Sequence, residues 1–282
     1  MIPVRSLDRT EADLHIHSNY SDGLLSPIEI VKYCREIGLK TIAITDHDSV
    51  QAVKVLQDTA HLGVELIPAV ELSSNIGLLD IHILGYFVDH EDPDLIEYLA
   101  KMRAHRIKRA RKIVENLSND GIKVDFERMK EIAKNSALGR PHIAEALREH
   151  GYVQSTREAF VHFLSYHSPY YEPKMSVNPV ELLKRIKQWG GISVIAHPCI
   201  YDDLELVQDL VDEGAVGLEI WHPEHSAACQ QQLMAMARDN DLLMTGGSDC
   251  HGQRRSNLQI GKCGCGQNEV RELKAYKRKL RK

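Results

Sequence analysis

Residues 12–23 read ADLHIHSNYSDG: a short apolar run studded with Asp13, His15, His17 and Asp22 and closed by Gly23. Two-residue alternation makes the run a strand. Residues two apart on a strand point the same way, so His15 and His17 share a face at its C-terminal end, and Asp22 follows in the loop. Asp13 has the same parity and is expected to orient one of those imidazoles from behind.

The same design recurs along the chain. Strands are expected at 12–16, 41–45, 64–70, 79–86, 192–196, 216–221 and 242–246. Helix starts lie between them: Ser26-Pro27 with Glu29, and Asn178-Pro179 with Glu181, give a cap, a proline in the first turn and an acid at the third position. Asp48 with Gln51 predicts a further cap. Alternation of strand and helix points to an α/β fold, either a parallel barrel or a doubly wound sheet. The third and fourth strands stand too close for a helical crossover, so an irregular corner is expected there. Residues 90–175 break the alternation with helices at 93–118, 126–134, 140–150 and 155–165. They read as a helical insertion covering one face, which divides the chain into a core of 11–89 plus 176–265, a substrate cap of 90–175 and a basic tail of 266–282 whose KRKLRK end is expected to be frayed.

Each strand end carries chemistry. TIAITDHD brings Asp46 and His47, IPAVELS brings Glu71, LDIHILGY brings His82 and SVIAHP brings His197. LEIWHPEH offers Glu219, His222 and His225, and GGSDCH ends on Asp249 and His251. In α/β barrels the C-terminal strand ends converge on one mouth. A lone acid or histidine there is ordinarily a cap, but so many gathered at one rim would be left unpaired without cations. Imidazole and carboxylate without thiolate suit manganese, zinc or iron. With Glu71 as a bridge, the set suits two or three divalent ions, manganese foremost. Such a site is fitted to phosphate ester hydrolysis: one ion activates water while the others hold phosphoryl oxygens. Asp46 is expected to orient a ligand or cap a turn, Cys250 to face the core, and Trp221 either to stack a base or to pack.

Composition narrows the field. A net charge of −5 excludes a generic polyanion binder. No apolar run is long enough to span a membrane and no leader is visible, so a cytoplasmic protein without membrane contact is expected. Cys34, Cys199, Cys229, Cys250, Cys263 and Cys265 lack the spacing of a disulfide framework and are expected to be reduced.

Taken in order, DLHIHSNYSDG, AITDHD, IPAVELS, HILGYF, AHP and GSDCH resemble the motifs of the PHP family, the polymerase and histidinol phosphatase phosphoesterases. The resemblance spans most of 12–262. It implies a distorted (β/α)7 barrel with a helical insertion and a trinuclear metal site. The implied ligands are His15, His17, Asp22, His47, Glu71, His82, His197, Asp249 and His251, with Asp22, His47, His225 and Asp249 closest to the chemistry.

Asp22 before Gly23, the insertion and its GRPH segment resemble the branch acting on nucleotides. That branch holds nucleoside 3′,5′-bisphosphate phosphatases and 5′-to-3′ exoribonucleases of the ribonuclease AM kind. Histidinol-phosphate phosphatases of the family instead carry a histidine before that glycine. The implied substrate is a nucleoside 3′,5′-bisphosphate or a short 5′-phosphorylated RNA, with no DNA-specific binding. Arg140 and His142, at a helix start, are the expected clamp for a terminal phosphate, and His225 is expected near the leaving group. KMRAHRIKRARK, residues 101–112, has seven Lys or Arg and no acid. It reads either as an RNA-tracking helix or as a solvated face. The alternatives are a histidinol-phosphate phosphatase and, in another class, a non-catalytic PHP scaffold that binds metal or nucleic acid; the intact ligand set argues against the scaffold.

Overall fold

The computed structural model describes residues 10–57, 63–133, 136, 138–252 and 259–280. Parts of the expected core (58–62 and 253–258), the end of the expected helix at 134 and the end of the tail at 281–282 lie outside the described residues.

The fold is mixed α/β. Strands β1 (Ala12–Ile16), β2 (Thr41–Ile44) and β3 (Glu65–Leu66) form a parallel sheet in that order. Strands β4 (Ala69–Ile76), β5 (Leu79–Tyr86), β6 (Ile192–Ile195), β7 (Gly217–Trp221) and β8 (Leu243–Gly246) form a second sheet in chain order.

The expected third strand is thus two strands in different sheets. Pro68, which has no N–H for a ladder, stands between them. The short link before β5 is no irregular corner. It is a two-residue hairpin turn at Gly77-Leu78, with Gly77 at a φ of 59° that suits glycine. β5 therefore runs antiparallel to both β4 and β6, while β6, β7 and β8 are parallel.

The two sheets meet at both edges. On one side His47 bridges Glu71, and Asp48 donates its N–H to the Glu71 carbonyl at 2.9 Å. On the other, Ile16 bridges Cys250, His17 N–H reaches the Cys250 carbonyl at 3.0 Å, and Asp249 N–H reaches the His15 carbonyl at 2.8 Å.

β1 is buried on both faces. The pairing register of β1 shifts between Asp13 and Ile16, so strict two-residue parity does not carry Asp13 to the face of His15. Ile16 packs under helix α1 (Pro27–Glu36) with Ile30, Val31 and Cys34, whereas Ala12 and Leu14 join a different cluster, with Leu84, Tyr86 and Val194 and with Val270 and Leu273 of helix α10 (Gln267–Leu280). The tail is accordingly a packed helix rather than a frayed end, and Lys277 donates to the carbonyls of Phe87 and Gly190.

Caps follow the sequence in two cases of three. Ser26 and Glu29 form a reciprocal capping box on α1, and Asn178 caps α7 (Pro179–Gln188) by accepting from Val180 N–H. Helix α2 (Gln51–Leu56) has no side-chain cap, because Asp48 turns away to accept from Ser73 N–H and Arg106.

Residues of the insertion form α3 (Pro93–Asn119), α4 (Phe126–Ala133), α5 (Arg140–Glu149) and α6 (Thr156–Ala159), the last running on into a wide turn at Phe160–Leu164. These elements enclose a core of their own, including Leu117, Met129, Ile143, Leu147 and Leu164. Leu95 and Leu99 at the start of α3 pack instead on the main core. Helices α8 (Leu204–Asp212) and α9 (Ala227–Asp239) complete the set. Against the expectation of six reduced cysteines, Cys199 and Cys229 are joined by a disulfide, while Cys34, Cys250, Cys263 and Cys265 are free thiols. Among the described residues no helix is long and apolar enough to cross a membrane.

Candidate metal and phosphate site

Glu71 is the hub. Its side chain is 1% exposed, and it enters from β4 at the seam between the sheets. Oε2 lies 3.0 Å from His47 Nδ1, 3.2 Å from His17 Nε2 and 3.4 Å from His15 Nε2. Oε1 lies 3.0 Å from His82 Nδ1 and 3.2 Å from His197 Nε2. Asp249 Oδ1 approaches His17 Nε2 at 3.0 Å and His15 Nε2 at 3.4 Å, and Asp22 Oδ1 approaches His251 Nε2 at 3.2 Å.

Glycine permits a close approach at the site: a Cβ on Gly247 would lie 2.3 Å from that of His15, so only glycine lets the end of β8 pass β1. Asp48, His197 and Asp249 adopt left-handed backbone at φ of 49°, 32° and 47°. Such conformations cost side-chain-bearing residues about 1–3 kcal/mol each and gather where function needs them.

Electrostatics set these groups against each other. Burial would raise the Glu71 carboxyl, but the charges of His47, His82 and His15 hold it well below the usual carboxylate range. Asp249 and Asp22 are depressed in the same way by their imidazole neighbours, against burial. Burial opposes charge on His17, yet bonds to Asp249 and Glu71 lift it to about 10, whereas burial dominates at His82 and lowers it to about 4.

The donor set fits divalent ions. Three groups each bring ligand atoms within 4.8 Å of one another: His17, Asp22, His47 and His251; His15, His17 and Asp249; and His47, Glu71 and His82. Asp22 Oδ1, His47 Nδ1, Glu71 Oε2, His82 Nδ1 and His197 Nδ1 are buried without a hydrogen-bond partner among the described residues. Buried lone pairs aimed at each other are stabilised by a cation.

Other expectations fare differently. Asp13 orients no imidazole. It accepts the backbone N–H groups of Ser248 and Gly261, and burial raises its carboxyl to about 6. Asp46 accepts from Ser18 N–H, Ser18 Oγ and Ser21 Oγ, which ties the first loop beneath Asp22. His222 Nε2 lies 3.3 Å from Asp249 Oδ2. His225 is buried beside His222 and donates from Nδ1 to the Ile220 carbonyl, while its Nε2 has no hydrogen-bond partner among the described residues. Trp221 is partly buried and packs on the core, and Cys250 is buried as expected.

One cleft joins Asp22, His47 and His82 to Arg106, Arg109, Arg140 and Lys174. Arg106 is held by Asp48, and Lys174 by Asp80 at 2.8 Å. Arg140 donates to the Leu164 carbonyl and lies against the Phe160 and Tyr166 rings. Arg109 donates from Nε to the Glu172 carbonyl, while its Nη2 is buried without a partner among the described residues. Burial and the charge of Arg140 bring the Arg109 guanidinium down to about 10. Two crowded guanidiniums with spare donors favour an anion between them. His142 lines the same cleft, but its Nδ1 accepts from Gly139 N–H and its Nε2 meets Ser136 Oγ, so both ring nitrogens are taken up by the turn.

Sequence reasoning had Arg106 and Arg109 only as part of a basic run. Their spacing of three on α3 puts them on one face. Asp80 shares a face of β5 with His82 by parity. Lys174, in irregular chain, carried no signal.

The PHP domain profile matches residues 13–222. The chain is 32% identical over 247 residues to the 5′-3′ exoribonuclease Rnm of Escherichia coli, covering 85% of this chain and 84% of that protein. It is 29% identical over 256 residues to the 3′,5′-nucleoside bisphosphate phosphatase of Chromobacterium violaceum, covering 88% and 90%. A solved structure of a candidate metal-dependent phosphoesterase from Bifidobacterium adolescentis superposes with a TM-score of 0.83 at 30% identity, covering 93% of this chain and 94% of that one. The chain belongs to the PHP-domain family.

Proposed function

We propose that this metal-dependent phosphoesterase removes the 3′-phosphate of nucleoside 3′,5′-bisphosphates and releases 5′-mononucleotides from short 5′-phosphorylated RNA. The observation that carries the reading is the shared cleft: cations at one end, the His/Asp/Glu cluster at the other. Lys174 pairs with Asp80, two residues from His82 on the same strand, so the cations stand beside the cluster. A 5′-phosphate held by Arg109, Arg140 and Lys174 would present the next phosphorus to the cluster.

The residues we assign to two or three divalent ions, manganese first and zinc or iron next, are His15, His17, Asp22, His47, Glu71, His82, His197, Asp249 and His251. Bound ions lower the pKa of water and neutralise charge on the phosphoryl oxygens. The chain's own part is to orient. Glu71 joins both halves of the cluster, Asp22 and His47 face the cleft, and the cation pocket fixes the substrate's far end.

The domain reading also stands as a proposal. Two sheets linked by bridges at both edges support a distorted barrel, and the separate apolar core of 90–175 supports a cap. We place the activity in the cytoplasm, where nucleotide and RNA substrates reside.

Product analysis with manganese-loaded protein tests the reading. The panel is adenosine 3′,5′-bisphosphate, a 5′-phosphorylated RNA trimer, its 5′-hydroxyl twin and histidinol phosphate, with Asp249→Ala as control. Release of AMP, or of 5′-mononucleotides from the phosphorylated trimer alone, is the expected result. Turnover of histidinol phosphate alone would overturn it.

A further inference from the structure

Glu219 has no place in the ligand set, yet it touches two of its members. It is 0% exposed, on β7, at the floor of the cluster. Its Oε1 lies 3.0 Å from His15 Nδ1, and its Oε2 accepts the backbone N–H of His197 at 2.7 Å. His15 stands on β1 in one sheet, and His197 follows β6 in the other. One carboxylate thus spans the two sheets from below.

Its chemistry is one-directional. A carboxylate only accepts, so His15 must carry its proton on Nδ1, and the lone pair then sits on Nε2. That nitrogen is the one facing Glu71 Oε2 and Asp249 Oδ1. The second oxygen ties down His197, whose φ of 32° needs a fixed partner to persist. The negative charge of this buried carboxylate calls for compensating cationic charge, which ions in the cluster above would supply.

We propose that Glu219 is a positioning residue for metal binding: it sets the His15 tautomer and locks the His197 turn, pointing imidazoles from both sheets at the same ions. The inference rests on the reading that the cluster holds divalent ions.

Glu219→Gln is the decisive variant, since it keeps size and shape. Its single oxygen can accept from His15 Nδ1 or from His197 N–H, and its amide NH2 must face the other donor. Metal-stripped wild type, Glu219→Gln and Asp249→Ala would be titrated with manganese and with zinc. Ring nitrogen shifts of the zinc forms would be read by NMR, and unfolding of the stripped forms recorded. We expect Glu219→Gln to bind metal about 10–100-fold more weakly. Its His15 resonance should lose the Nδ1–H pattern, and turnover should recover when manganese is raised to saturation. Wild-type metal affinity in Glu219→Gln, with lost stability of the stripped chain as the only effect, would overturn the proposal. Wild type that binds no metal, or no better than Asp249→Ala, would instead overturn the metal reading beneath it.

Discussion

Arg106 grips Asp48 through Nε at 2.9 Å and Nη2 at 2.6 Å, although one comes from α3 of the insertion and the other from the turn after β2. Nη2 also donates to Ser73 Oγ at 2.8 Å, and Asp48 accepts from Ser73 N–H. The insertion is therefore fastened beside His47, where the sheets meet. Asp48 has no exposed surface and Arg106 is 21% exposed, so this pair is shielded far better than a surface ion pair.

Arg106→Ala would leave the Asp48 carboxylate buried and alone. The expected cost is about 3–5 kcal/mol. Thermal unfolding followed by circular dichroism should show a Tm lower by on the order of 10 °C. Adding Asp48→Asn should restore part of it, because the orphaned charge is removed. A Tm equal to wild type in the single variant would show that the pair contributes nothing to the fold.

Asp249→Ala and His17→Ala remove groups that meet at 3.0 Å in the heart of the cluster. Turnover should fall by at least about 10²–10³-fold, the scale of one lost charge stabiliser at a reacting centre. The circular dichroism spectrum should be unchanged, since the strands bearing these residues are held by backbone bonds. Activity within tenfold of wild type would remove either residue from the machinery.

Arg140→Ala and Arg109→Ala should raise KM for the 5′-phosphorylated trimer about 10–100-fold, as expected for one or two charge-assisted bonds worth about 1.5–3 kcal/mol. The 5′-hydroxyl twin should be unaffected. Equal losses on both would show that these arginines do not read the terminal phosphate. Salt should weaken the preference in wild type and far less in the variants.

Thorough chelation should abolish turnover and lower the Tm, and manganese at a hundredfold over its Kd should return about 2.7 kcal/mol of stability. A Tm indifferent to metal would mean that the buried, unpartnered ligand atoms are tolerated without a cation.

The denatured, unreduced chain should expose four reactive thiols, those of Cys34, Cys250, Cys263 and Cys265. Reduction should raise the count and cost about 3–4 kcal/mol, the loop-closure value for the separation of 30 residues between Cys199 and Cys229. The bond ties the turn after His197 to the first turn of α9. Six free thiols before reduction would show the pair to be open in solution.

The rim was legible because its signal is local. HxH, DH, VE, AHP and DxH each combine strand parity with a strand end, and two-residue alternation survives whatever the sheet order. The direction of β5 was not legible from such patterns, because parity is the same for parallel and antiparallel strands; only the shortness of the link before Leu79 hinted at a hairpin. Glu219 was visible as a rim acid, but its role was not, since the partner of a buried carboxylate is fixed by the neighbouring strand. Arg109 and Lys174 meet Arg140 across long stretches of chain, and no local spacing records that meeting. The Cys199–Cys229 bond is a long-range contact of the same kind.

The seams have a temporal meaning. β1, made first, contributes His15 and His17, while the bridge from Ile16 to Cys250 and the carboxylate of Asp249 come from beyond β8. A chain synthesised only as far as the insertion holds part of the cluster and leaves one edge of β1 unpaired. A phosphoesterase built this way becomes competent only when the segment after β8 docks against β1.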